Sequence, residues 1–356
     1  MQWKLTEEQE AYRKTFRDWL AAAAPSPKVR QWLDAEDDSA FEDRFAAEGW
    51  AGVGLPEDLG GQGGGLVELA LTAEELARAA VPSAAWLANV LAAPALAGRR
   101  DLAEAALSGE ATALLVPAEL VPQEAPLLRV DTDGAITGRA PRVLAGDTAT
   151  RFVVPVVGDG ATRELRLAEA SAPGVGLTAR PLLDRSRSVA DVTFDRVPSV
   201  RLDVDVDEVL RGASVRAGVL VAADSLGAGE RMLDLAVEYS KQRHQFGVPI
   251  GSFQAVKHAA ATILVGVEAA RSAVYFAAAS VEADAPQSLL HAAAVKAQVT
   301  AEGVRTADSA LTLHGAIGYT WEHDLQLFFK RAKLDEKLYG SPQAWNELLA
   351  DGLALV

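Results

Sequence analysis

Over the first 112 residues apolar positions return every three or four places. Tyr12, Phe16, Trp19 and Leu20 share a helical face, preceded by Thr6 as a capping residue and by acids in the first turn. Phe41 to Trp50 and Leu66 to Ala80 repeat the pattern, which predicts two further helices. The glycine-rich stretch Gly49 to Gly65 lies between them. It follows no predicted strand and lacks a Lys-Ser/Thr ending, so it is neither a P-loop nor a dinucleotide fingerprint.

From about residue 113 the texture changes. Short Val/Leu runs (Ala113 to Val116, Arg151 to Val157, Arg187 to Phe194) alternate with turn signals at Asp133-Gly134 and Asp159-Gly160. After Val206-Asp207 the helical period returns. Val215, Val219, Ala222, Leu226, Leu233 and Val237 form one stripe. Ala255, Thr262, Val265, Ala269, Tyr275 and Phe276 belong to a second helix, and Leu289 to Leu313 to a third. The predicted fold class is α+β: an N-terminal helical domain (residues 1–112), a middle antiparallel β-barrel or sandwich domain (113–205) and a C-terminal four-helix bundle (206–356). No internal repeat interrupts this order.

The chain has 356 residues, 49% of them hydrophobic, enough for more than one core. Its net charge of −15 argues against nucleic acid or an anionic membrane as the main partner, though local Arg and Lys can still receive an anionic ligand. Without cysteine there is no disulfide, thiolate chemistry or Cys-bound metal. The start, Met1 to Glu8, lacks the shape of a signal peptide, and the apolar stretch Ala259 to Ala270 is broken by Thr262, Gly266 and Glu268. No membrane-spanning run is therefore expected, and a cytoplasmic location is.

Two clusters carry candidate chemistry. In Tyr239 to His258 a helical pattern breaks at Gly247, Pro249 and Gly251 and restarts at Phe253-Gln254. Arg243 offers fixed-fork donors to phosphate, and Phe246 and Phe253 offer ring faces to a flat heteroaromatic; an ordinary helix corner with a paired arginine fits the spacing as well. In His314 to Asp324 small residues follow a long helix, giving either exposed backbone N–H groups for a ligand or a plain helix end. The five histidines lack ligand spacing, so no metal site is expected, and no Gly-x-Ser-x-Gly nucleophile motif occurs.

Arg243-x-Gln-Phe-Gly-x-Pro-Ile-x-x-Phe-Gln254 resembles the signature of the acyl-CoA dehydrogenase flavoprotein family. Four more ordered stretches resemble it too: Gly49-Trp50 through Pro56-Glu57 to Glu74-Glu75-Leu76, Asp133 to Gly138, Val192 to Pro198, and His314 to Tyr319. The resemblance implies FAD as cofactor and acyl-CoA as substrate, with electron-transfer flavoprotein as electron acceptor. It further implies that Arg243 meets the FAD pyrophosphate and Phe246 the adenine region, while Gln254, Thr312, Gly315 and Gly318 line the same flavin across a subunit interface.

Other family elements are missing. The stretch corresponding to the flavin-contacting Thr-Glu-Pro-x-x-Gly-Ser-Asp loop reads Leu115 to Pro126 without its Gly-Ser-Asp end. The Lys-x-Trp-Ile-Thr element reads Arg142 to Gly146. The two family positions for the catalytic glutamate hold Tyr339 and Ala217, and a neutral Tyr is a poor base. The nearby acids Asp224, Asp335 and Glu336 are expected to be solvated or ion-paired at the surface. Retained cross-interface motifs beside degraded own-flavin motifs resemble the helper subunit of actinobacterial α2β2 dehydrogenases acting on bulky steroid side-chain thioesters, which implies a paralogous partner subunit. A homo-oligomeric enzyme with a relocated base and a non-redox acyl-CoA or carrier-linked enzyme are the other readings, as is a structural homodimer without cofactor.

Overall fold

A computed structural model describes residues Lys4–Leu353. The reading of Met1–Trp3 and the last three residues of the predicted bundle lie outside the described residues. Six helices open the chain: α1 (Glu7–Ala23), α2 (Ser26–Ala35), α3 (Ser39–Ala47), α4 (Leu66–Arg78), α5 (Ala84–Ala92) and α6 (Arg100–Leu107). Thr6 caps α1 as expected: its hydroxyl accepts from the Gln9 backbone N–H at 3.2 Å, and the Gln9 side chain accepts from the Thr6 N–H at 3.0 Å. The helix predicted to reach Trp50 stops three residues early, because Gly49 takes a left-handed φ of 85° and Trp50 starts a separate 3-10 turn. Trp50 then packs on Phe16 with ring centroids 4.7 Å apart. The glycine-rich stretch folds on itself, where a side chain at Gly61 would collide with the Leu55 backbone.

The central region contains β1 (Thr112–Leu114), β2 (Leu128–Val130), β3 (Ala135–Leu144), β4 (Arg151–Val157), β5 (Arg163–Glu169), β6 (Val175–Arg180), β7 (Val189–Pro198) and β8 (Val200–Leu202). They form one eight-stranded sheet in the order β6-β7-β3-β2-β4-β5-β8, with β1 also on β4. Most pairs are antiparallel, as the Asp-Gly turns imply. However, β1 and β2 both lie parallel to β4, so the sheet is mixed. These two strands enter from connections other than hairpins, which sequence turn signals do not reveal.

The last region is helical: α7 (Val206–Gln242), the short hairpin strands β9 (His244–Gln245) and β10 (Val248–Pro249), α8 (Gln254–Glu282), α9 (Ser288–His314), α10 (Leu325–Asp335) and α11 (Pro342–Gly352). α7 packs on α4, α8, α9 and α10, and its middle turns, Ala217 to Gly229, are buried on every side. The α8 stripe read from sequence is mostly the wrong face. Ala255, Thr262, Val265, Ala269 and Phe276 are exposed, whereas Ile263, Val267, Ala270 and Val274 are buried with Tyr275. α8 is apolar on two sides, so periodicity alone could not say which side meets the bundle. The same composition makes α8 long and apolar enough to cross a membrane by length and composition, contrary to the sequence expectation, because Thr262, Gly266 and Glu268 do not interrupt the helix. Only 28% of its most apolar window is buried, and Val265 is 70% exposed.

A Cβ at Gly227 on α7 would collide with the Glu74 carbonyl on α4. Gly227→Ala is therefore expected to force these helices apart and lower stability by about 1–3 kcal/mol or more, read from urea unfolding midpoints at unchanged m-value.

Candidate functional site

The corner between α7 and α8 is a hairpin rather than a simple turn. Val248 pairs with Gln245 and Pro249 with His244, leaving Phe246 (φ 53°) and Gly247 (φ 83°) at the tip. Phe246 is 94% exposed and makes only an edge contact with Phe253, at 6.1 Å between centroids. Arg243 ends α7, is exposed, and has no ion pair among the described residues. Gln254 starts α8 in the open, its amide 3.5 Å from His258 Nε2. An exposed, unpaired guanidinium and a nearly naked Phe ring on the same corner have no internal structural use among the described residues, and such a patch marks a contact site.

The second cluster sits at the same end of the bundle. His314 closes α9 and stacks on Tyr239, one turn before Arg243, at 4.8 Å. Burial lowers the His314 pKa, and its Nδ1 lies 2.7 Å from the Ala310 carbonyl. Gly315 (φ 66°) is exposed with open space around its Cα, while Tyr319 is 72% exposed. Thr312 is exposed but turns its hydroxyl back to the Asp308 carbonyl at 2.9 Å. Gly318 differs from expectation: it is buried, and a side chain there would press on Leu311 and Leu325, so its role is to pack the turn. Arg243, Phe246, Gln254, Thr312 and Gly315 thus lie on exposed surface at one end of the bundle.

The two positions for a catalytic base are closed. Ala217 is fully buried inside α7. Tyr339 (φ 55°) is buried; its N–H donates to the Ala118 carbonyl at 2.5 Å, and its carbonyl accepts from Trp345 Nε1 at 2.9 Å. Burial pushes the Tyr339 hydroxyl well above its usual pKa, further from use as a base. The stretch resembling the flavin loop lies against the same wall, with the Gln123 N–H donating to Ser214 Oγ on α7 at 2.9 Å. Arg142, in the degraded second element, pairs with Glu119 across that stretch.

Sequence reasoning missed a buried charge cluster. Asp224 and Asp335, expected at the surface, are buried, and Glu336 is half-buried beside Lys337. Arg331 on α10 grips Asp224 with Nε at 2.6 Å and Nη2 at 2.7 Å, and Arg187 adds a second ion pair. Arg331 also donates to the Val81 carbonyl at 2.9 Å and Ser83 Oγ at 3.1 Å. Burial opposes the Asp224 charge, but the two arginines outweigh it and hold its pKa low. Burial and then the Asp224 charge drive Asp335 the other way, holding its carboxyl well above the usual carboxylate range. Lys296, buried and donating to the Asp335 and Gly340 carbonyls, is pulled down by burial to about 7. The available signal was charge at core positions of apolar helices: Asp224 in the α7 stripe and Lys296 in α9.

A cavity of about 320 Å³ lies among α3, α4, α5 and α6, and neither Tyr339 nor Ala217 lines it. Glu42 on its wall is raised to about 7 by burial, then by Asp38 and Asp43. Among the described residues no cluster of His, Asp and Glu could hold a metal ion.

The family described as "Acyl-CoA dehydrogenase, N-terminal domain" matches residues 6–109, and "Acyl-CoA dehydrogenase, C-terminal domain" matches residues 216–354. Acyl-CoA dehydrogenase IpdE2 of Mycobacterium tuberculosis is 33% identical over 343 residues, covering 95% of this chain and 94% of its own length. Among solved structures, a variant of the Tcur3481-Tcur3483 steroid ACAD has a TM-score of 0.87 at 26% identity, covering 98% of each chain. The ChsE4-ChsE5 complex from Mycobacterium tuberculosis reaches 0.86 at 26%, covering 100% of each chain.

Asp224→Asn is expected to remove the carboxylate that Arg187 and Arg331 both pair with in the core and to destabilise the protein by about 3–5 kcal/mol, measured by denaturant unfolding at pH 7. Glu42 has a raised folded pKa, so its contribution is full below about 4.5 and is lost as pH rises through about 7. Across that window wild-type stability is expected to fall on the order of 1 kcal/mol more than that of Glu42→Gln, compared by unfolding curves at pH 4.5 and 8.

Proposed function

The chain belongs to the acyl-CoA dehydrogenase family of oxidoreductases acting on acyl-CoA, and from that premise we propose that it is the helper subunit of an α2β2 complex with a paralogous dehydrogenase. The observation that carries this reading is an asymmetry within one chain. The end suited to gripping a flavin is open, with Arg243 unpaired and Phe246 94% exposed, while the crevice around Tyr339 is filled by the chain's own Ala118, Ser214 and Trp345.

The residues present fit one part of FAD and not another. Arg243 fits the pyrophosphate, since a guanidinium pairs with phosphate oxygens in a fixed fork; Phe246 fits the adenine, and Gln254 with the backbone at Gly315 can line the same strand of ligand. No such fit exists for an isoalloxazine at this chain's own Tyr339, where the neighbouring loop is tied to α7. Bound FAD supplies the hydride acceptor for α,β-desaturation of the thioester. In this reading the partner contributes the α-proton base, and this chain binds and orients the partner's cofactor and excludes water from its adenosine end. The outer face of α8, with Leu264 and Val265, is assigned to subunit contact, which accounts for an exposed apolar helix in a chain of net charge −15. The steroid ACAD and the ChsE4-ChsE5 complex among its structural neighbours support a bulky acyl group and a heteromeric assembly. A relocated base on Asp335 has less support, because that carboxyl is fully buried and does not line the α3–α6 cavity.

Flavin per subunit and dye-linked turnover, measured for the chain alone and with a co-expressed paralogue, test the proposal. Half a flavin per subunit and activity in the mixture only are expected. In the complex, Arg243→Gln should weaken flavin retention roughly 10- to 100-fold, the loss of one charge-assisted bond, while Tyr339→Phe leaves turnover unchanged. Full flavin occupancy with turnover by the chain alone would sink the helper-subunit reading.

A further inference from the structure

Arg216 is the one charged donor lining the α3–α6 cavity, and its chemistry is left unspent among the described residues. It stands on α7 next to Ala217, half-buried, and lines the cavity, as does Trp86. Among the described residues it makes no hydrogen bond and no ion pair, and burial is the sole influence pulling its pKa below the ordinary guanidinium value. This contrasts with the other arginines at the core: Arg331, Arg187 and Arg271 each have at least one carboxylate partner. A desolvated guanidinium without a partner is costly, so its natural complement is an anion that the protein itself does not provide.

The rest of the wall narrows what that anion carries. The cavity, about 320 Å³, falls in the range of small-ligand sites, and most of its surface is hydrocarbon from residues such as Phe45, Leu69, Val90 and Leu102. Asn89 and Ser83 also face it, but their polar atoms are engaged: Asn89 with the Glu110 carbonyl and the Thr112 N–H, Ser83 with Arg187 and Arg331. The Trp86 indole N–H, by contrast, is buried with no acceptor. Glu42 shares the cavity, but among the described residues it forms no salt bridge with Arg216, and neither group influences the other's pKa. Two idle donors in an apolar enclosure call for one acceptor-rich end on a hydrocarbon body. A single positive charge balances a monoanion; a phosphate dianion would leave a second charge buried without a counter-ion.

We propose that this cavity is a binding site for an apolar monocarboxylate, its carboxylate paired with Arg216 and accepting from the Trp86 N–H, its hydrocarbon body lying among α3, α5 and α6. The site is separate from the surface assigned to the partner's flavin and does not depend on that assignment.

Isothermal titration of the purified chain with octanoate and with octan-1-ol separates charge recognition from hydrophobic uptake. Octanoate should bind at least 10-fold tighter than the alcohol, and Trp fluorescence should change on its addition. In Arg216→Gln the two affinities should become equal; in Trp86→Phe, which keeps the cavity and the guanidinium, a smaller preference for the carboxylate should remain. Each variant is checked for an unchanged thermal midpoint. Equal affinities in the wild type, no binding of either probe, or an undiminished preference in Arg216→Gln overturns the proposal. The wild-type comparison stands even if a variant fails to fold, and none of these readouts involves flavin content or dehydrogenase turnover.

Discussion

The ion cluster around Asp224 joins every layer of this molecule. Its carboxylate sits in the middle of α7, the helix that the rest of the chain packs around, and it is reached by Arg331 from α10 and Arg187 from the approach to β7. Arg331 extends the same network to the Val81 carbonyl and Ser83 at the start of α5. Three charged groups are thereby removed from water at once, an arrangement favourable only while every donor and acceptor is held in place. The N-terminal helices, the sheet and the bundle cannot shift against one another without exposing a bare charge to a hydrocarbon core.

That rigidity explains why the region around Tyr339 is a wall rather than a pocket. The turn after α10 is pinned by Lys296 to the Asp335 and Gly340 carbonyls, and a side chain at Gly340 would press on Val121 and Trp345. The segment from Ala118 to Gln123 bonds to Tyr339 on one side and Ser214 on the other. Opening a cleft there would require breaking several of these bonds together. The opposite end of the bundle carries no such network, and its hairpin tip, Gly315 and Tyr319 remain available to something outside the chain.

Much of the local structure was legible in the order of residues. The Thr6 cap, the break at Gly247 and Pro249, and the end of α9 before Gly315 are set by backbone preferences that act over a few positions. The motifs that resemble the acyl-CoA dehydrogenases were legible for the same reason, as was the absence of a carboxylate at positions 217 and 339. The α1 and α7 stripes, with Phe16, Leu20, Val219 and Leu226, do face the core; what failed were judgements of facing where the pattern is ambiguous. The α8 stripe was placed on the wrong face because both faces are apolar, and Gly318 was taken for a ligand contact when its lack of a side chain serves the packing of Leu311 and Leu325.

Sequence by itself determined the run of helices, strands and helices, the turn chemistry that separates them, and which reactive groups the chain does and does not own. Only the tertiary structure decided that Asp224 and Asp335 are interior, that Arg216 lacks a partner and that Tyr339 is sealed. Those outcomes depend on neighbours more than a hundred positions away, such as Arg331 for Asp224 and Ala118 for Tyr339. A charge is stabilised or stranded by what surrounds it in space, and periodicity along the chain does not carry that information.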